Sequence, residues 1–128
     1  MRVPTTLLLF AAAGLSACAS SPSQQLVENG FDRGSLGVAA IARGDWASAE
    51  AGLQASRMPE NDPARLINLG NVYMETGRPG MALSAWRLAL ASPNHFMVET
   101  ANGQWLSTRD VAQKALSKHE GAVRSATR

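Results

Sequence analysis

Three side chains of this 128-residue chain qualify by type as a nucleophile or metal ligand with a near-neutral pKa. They are the single cysteine, Cys18, and the two histidines, His95 and His119. A lone cysteine excludes an internal disulfide. Two histidines without a Cys/His cluster are too few and too isolated for a metal centre. His95 is expected in a solvated turn after Pro93, and His119 at the edge of a helix contact. No serine stands in a nucleophile elbow, and no glycine loop has the spacing that cradles phosphate. Catalysis needs a convergent set of groups, so the expectation is a non-enzyme with no cofactor and no metal. Asn102-Gly103 can deamidate, but that is a lesion rather than a mechanism.

Cys18 gains meaning from what precedes it. Arg2 opens a short positive start, Leu7 to Leu15 form an apolar run, and small residues lead into Leu15-Ser16-Ala17-Cys18. This is the layout of a secretory signal peptide. A spanning helix needs roughly 20 apolar residues, and polar Ser20, Ser21, Ser23, Gln24 and Gln25 arrive too soon. Leu15 to Cys18 resemble the lipobox of bacterial lipoproteins. That resemblance implies removal of residues 1–17, with lipid added to the Cys18 sulfur and to its new amino group. It further implies an outer-membrane location facing the periplasm, because Ala19 is not the aspartate that retains such lipoproteins in the inner membrane. Two alternatives stay open. Ala17-Cys18-Ala19 also fits ordinary cleavage and secretion, and a buried inert cysteine would require Cys18 to lie inside a fold.

Removal of the signal leaves 111 residues, enough for one small domain. Hydrophobic content of 45% with 5% aromatic points to an alanine- and leucine-rich helical core. The net charge of +2 gives no ground for nucleic-acid binding. The charge is uneven, however: residues 18–107 carry −2, and residues 108–128 carry +3. The basic end is read as a solvated helix face, or as a weak contact with anionic headgroups or an acidic surface.

Four positions recur at one offset: Gly37 and Gly70, Gly44 and Gly77, Ala49 and Ala82, Leu53 and Trp86, each pair 33 residues apart. Asp62-Pro63 reads as an N-cap followed by proline at the first helical position. Leu66, Leu69, Gly70 and Tyr73 share one helical face. Gly77 can take the left-handed conformation that ends a helix, and Ala82, Ala85, Trp86, Ala89 and Leu90 form the stripe of the next one. Gly44-Asp45 repeats the stop and cap. Two antiparallel helix pairs follow, about 31–43 with 45–57 and about 63–76 with 79–92. A further helix over about 108–124, with Ala112, Leu116, His119 and Val123 on one face, supplies the cover that two repeats lack. Between them, Asn102-Gly103 is a strong hairpin signal. A tight turn there would set Thr100 opposite Trp105 and place Val98, Thr100 and Trp105 on one face; an ordered loop is the alternative.

The run from Leu66 to Tyr73, with Gly77, Ala82, Trp86 and Ala89-Leu90, resembles the tetratricopeptide repeat. The first copy, roughly Gly30 to Asp62, has Ala40 where that family's tyrosine belongs. The resemblance implies an all-α fold of helix pairs stacked as a short solenoid over 30–94; beyond it, the residues themselves predict a hairpin or ordered loop at 95–107 and a capping helix with a tail at 108–128. Residues 18–29 would then be a lipidated, flexible tether. It also implies that first helices line a groove, through Phe31, Val38 and Ile41, then Ile67, Asn71 and Met74. A carboxylate clamp is disfavoured, since Ile67 and Gly34 stand where its lysine would be. The groove is either open to a partner or filled by the C-terminal helix.

The functional expectation is a lipid-anchored adaptor that binds another envelope protein, such as one helping to assemble outer-membrane proteins or pili. A self-associating structural or regulatory domain is the rival reading, and a headgroup- or glycan-binding module the third. The stretch around Val98, Asn102, Gly103 and Trp105 matches no repeat motif and is where a distinguishing contact is expected.

Overall fold

A computed structural model describes residues 34–126. Cys18, Phe31 and the tether lie outside them. The elements are α1 (Val38–Ala42), α2 (Trp46–Ala55), α3 (Pro63–Glu75), α4 (Pro79–Ala91), β1 (Met97–Glu99), β2 (Trp105–Ser107) and α5 (Thr108–Ala126). The molecule is mostly helical. Each helix packs on the next, α3 also reaches α5, and one small antiparallel sheet lies between α4 and α5 in sequence.

Local chemistry explains most of these boundaries. Asp45 and Asp62 cap α2 and α3 by accepting hydrogen bonds from Ser48 N (3.1 Å) and Arg65 N (3.0 Å). Pro63 and Pro79 open α3 and α4, where a missing N–H costs nothing. Gly77 takes φ +73° in the turn between them. The first helix departs from expectation. Gly37, placed in mid-helix by the repeat, is left-handed at φ +64° and caps α1, which is only five residues long. A turn closed from Gly37 N to Gly34 O precedes it.

The repeated spacing nevertheless marks a repeated contact. A Cβ on Gly37 would stand 3.3 Å from Leu53 Cγ, and one on Gly70 would stand 2.5 Å from Trp86 Cδ1. In both helix pairs the same glycine accommodates the same partner position. Trp86 is fully buried there, and its indole N–H donates to Ile67 O at 3.2 Å.

The core has three connected parts. Leu53, Ile41, Leu69 and Val72 join α1, α2 and α3. Leu83, Trp86, Ala115 and Leu116 join α4 to α5. Leu36, Ile67, Val98, Val111 and Ala112 bring the hairpin against α3 and α5. Buried Asn68 donates to Leu36 O (2.9 Å), and Arg65 Nε donates to Leu53 O (2.7 Å) at the end of α2. His95 is not in a solvated turn. It is half-buried, with Nδ1 3.0 Å from Thr108 Oγ1 and Nε2 3.2 Å from Leu90 O. A carbonyl only accepts, so Nε2 carries a proton, and in a neutral ring Nδ1 then accepts from the Thr108 hydroxyl. His95 thereby ties the end of α4 to the start of α5.

Candidate interaction surfaces

The residues carried over as groove-lining do not form a surface. Ile67 has no exposed area, and Ile41 and Asn71 are buried. Val38 and Met74 are half-buried and pack against core clusters. For Ile67 and Met74 the cause is α5, whose Val111, Ala112, Ala115 and Leu116 cover the side of α3 and α4 that also carries Trp86; Ile41 is buried instead against Ala49 and Leu53 of α2 and Leu69 and Val72 of α3. Phe31 lies outside the described residues.

The hairpin exists, but its register differs from expectation by one residue. Val98 pairs with Leu106 and Glu99 with Trp105. Thr100 N donates to Gln104 O, and Gly103 N to Thr100 O, both at 2.8 Å. The loop therefore has three residues, 101–103, with Gly103 left-handed at φ +76°. A two-residue turn would need positive φ at Asn102 as well. Asn102 instead keeps negative φ and turns its Oδ1 to accept from Thr100 Oγ1 and Gln104 N. A shift of one residue moves a side chain to the opposite face of a strand. Trp105 accordingly leaves the face of Val98 and Thr100, both buried, and shares the outward face with Met97 and Glu99. Trp105 is 58% and Met97 56% exposed.

A second apolar surface runs along the seam of α3 and α4, outside every stretch that the sequence singles out for binding. Met81 (47% exposed) and Leu88 (60%) project from α4, with exposed Ser84 between them. One hollow of about 340 Å³ is lined by Leu69, Tyr73, Met81, Ser84 and Ala85 among others. A second of about 380 Å³ runs on past Ala91 and Pro93 to Glu60 and Asn61. Leu66 and Leu88 belong to both. Met81, Ser84 and Leu88 stand at i, i+3 and i+7, a signal readable beside the stripe of Ala82, Trp86 and Ala89.

Charge near the seam is largely neutralised. Arg78, just before α4, grips Glu50 of α2 with both guanidinium nitrogens (3.0 and 2.6 Å) and lies 4.7 Å over the Tyr73 ring. That hydrogen bond holds the Glu50 carboxyl below its ordinary value and Arg78 above its own. Arg87 pairs with Glu120 of α5 at 2.7 Å. On α5 itself Arg109, Lys114, Lys118 and Arg124 are exposed, as is Asp110.

The Trp86 ring also meets His119, whose imidazole stacks on it with centroids 5.2 Å apart and planes at 27°. Burial lowers the His119 pKa, and Lys118 lowers it further against the opposing pull of Glu75. Among the described residues no cluster of His, Cys, Asp or Glu could hold a metal ion, and no helix is long and apolar enough to cross a membrane. No family model, curated protein or solved structure matches this chain.

Proposed function

We propose that this protein is a lipid-anchored, periplasmic adaptor of the tetratricopeptide-repeat type, held at the outer membrane through Cys18, that works by contact and catalyses no reaction. The lipobox-like Leu15 to Cys18 supports the anchor. The glycine-to-large-residue contact, made once by Gly37 with Leu53 and again by Gly70 with Trp86, supports the repeat. With Ile67 and Asn71 buried, partner binding moves from the first helices to the outward face of the hairpin.

One observation carries this reading: an exposed tryptophan on a hairpin whose other face is locked into the core. Val98 and Thr100 are buried, so Trp105 and Met97 are presented on a held backbone. Tryptophan dominates contact energetics where it can be fully covered, at about 2 kcal/mol or more per anchor. The proposed tether of residues 18–29 spans at most roughly 40 Å when extended, so the partner is an envelope protein at or near the membrane surface.

The test uses a photo-crosslinker at Gln104 in the native, membrane-anchored chain. One discrete crosslinked envelope protein is expected, and Trp105→Ala with Met97→Ala should reduce it at least tenfold without altering the circular dichroism. Undiminished crosslinking in that double variant overturns the hairpin assignment. Mass spectrometry of the mature N-terminus tests the anchor separately, since the expected acyl mass on Cys18 is either present or not.

A further inference from the structure

We infer that the outward seam of α3 and α4 is a contact between two copies of this chain, related by a twofold axis passing close to Ser84. The seam carries both knobs and holes. Met81 and Leu88 stand out from α4 seven residues apart, and the two hollows lie beside them on the same face. In an antiparallel crossing of two α4 helices, the Leu88 end of one lies against the Met81 end of the other. Each protomer then offers a projecting side chain where its twin offers a hollow, which is the self-complementarity a twofold contact demands.

The backbone and the charges suit the same arrangement. Ser84 sits at the middle of the exposed face of α4, and Gly80 and Ala85 beside it are small. Small residues at a crossing let helices approach within about 8–10 Å. A twofold contact sets equivalent groups near one another, so like charges at its centre would repel. Here the centre has none. Arg78 is neutralised by Glu50 at one end, Arg87 on the rim is drawn to Glu120, and among the described residues the only charged side chain lining the hollows, Glu60, lies at the far end. The polar outer face of α5 cannot fill such a trough.

The contact itself needs no anchor. Its occupancy in the envelope rests on the proposed anchor, because tethering two copies to one surface raises their effective concentration.

A chain beginning at Ala19 keeps every described element and lacks Cys18, so Ser84→Cys makes its only thiol. Mild oxidation should convert that variant to a disulfide-linked dimer, while Gln113→Cys, on the outer face of α5, should stay at least tenfold slower. By sedimentation, the mass of the unsubstituted chain should rise toward a dimer between about 10 μM and 1 mM, the range for a small apolar contact. Leu88→Asp should remain monomeric with an unchanged thermal midpoint, since Leu88 is mostly exposed. A monomer throughout that range overturns the inference, as does a dimer that Leu88→Asp leaves intact or equal crosslinking at Gln113→Cys. So does a monomer whose seam crosslinks to a different envelope protein. Trp105→Ala should leave the dimer untouched, which separates this result from the hairpin assignment.

Discussion

A methyl group added to Gly70 would stand 2.5 Å from Trp86 Cδ1 and 2.7 Å from Cε2, inside an indole that is fully buried and hydrogen-bonded to Ile67 O. Neither ring nor helix can give way cheaply in a close-packed core. Gly70→Ala should therefore destabilise the fold by about 2 kcal/mol, as overpacking does. Gly121, inside α5, provides the opposite sign, because a Cβ added there would meet nothing within 4 Å. Gly121→Ala should stabilise by up to about 1 kcal/mol through helix propensity. Urea denaturation of both variants checks the pair; equal effects of the same sign would refute the contact geometry. The glycine spacing was legible in the sequence, whereas the identity of the group pressing on Gly70 required the packed helices.

Helix α5 is held to α4 along its length. His95 links Leu90 O to Thr108 at its start, Leu116 and Ala115 pack on Trp86 and Leu83, and His119 stacks on the Trp86 ring further on. Burial lowers the His119 pKa below its ordinary 6.5. The folded state thus binds that proton less readily than the unfolded chain. His119 contributes full stability above pH 6.5 and loses it as the pH falls from there to its depressed folded value. Groups facing it add to this through Lys118 and oppose it through Glu75. Asp45 and Glu50 are held below 3.8 and 4.5 and titrate beneath that window. The thermal midpoint should fall between about pH 7.5 and pH 5.5, and His119→Phe should flatten that fall. A midpoint that rises on acidification, as a dominant attraction between imidazolium and indole would produce, refutes the sign. The sequence put His119 at the edge of a helix contact, but it misplaced His95, because a residue after Pro93 reads locally as a solvated turn.

Taken whole, the chain packs α5 and α2 against the α3–α4 pair and leaves the seam that carries Met81 and Leu88 exposed. Repeats need their neighbours, since each unit exposes an apolar face that only the next unit covers. Ending the chain after Ser107 would uncover Trp86, Leu83, Ala82 and Ile67, at about 1.5–3 kcal/mol for each large side chain. That rivals the whole stability of a domain this size, about 5–15 kcal/mol. The truncated protein should lose its cooperative thermal transition and become protease-sensitive. A transition within a few degrees of the full chain's would refute the covering role of α5. The same cover explains why Ile67, a sensible groove residue by resemblance, is buried, whereas Ile41 is buried by Leu53 of α2 and by Leu69 and Val72 of α3.

Caps, prolines and left-handed glycines act over three or four residues, and so α2, α3, α4 and the start of α5 could be placed from the chain alone. So could the existence of a reversal at Asn102-Gly103. Its register could not, because two- and three-residue turns are both compatible with Asn-Gly, and only the folded loop shows the Asn102 carboxamide accepting from Thr100 and Gln104. That one-residue difference turned Trp105 outward. Periodicity ranks faces by hydrophobicity but does not say which of two apolar faces a later helix will cover. The choice fell to α5, some thirty residues downstream, and it left Met81 and Leu88 as the uncovered face of α4.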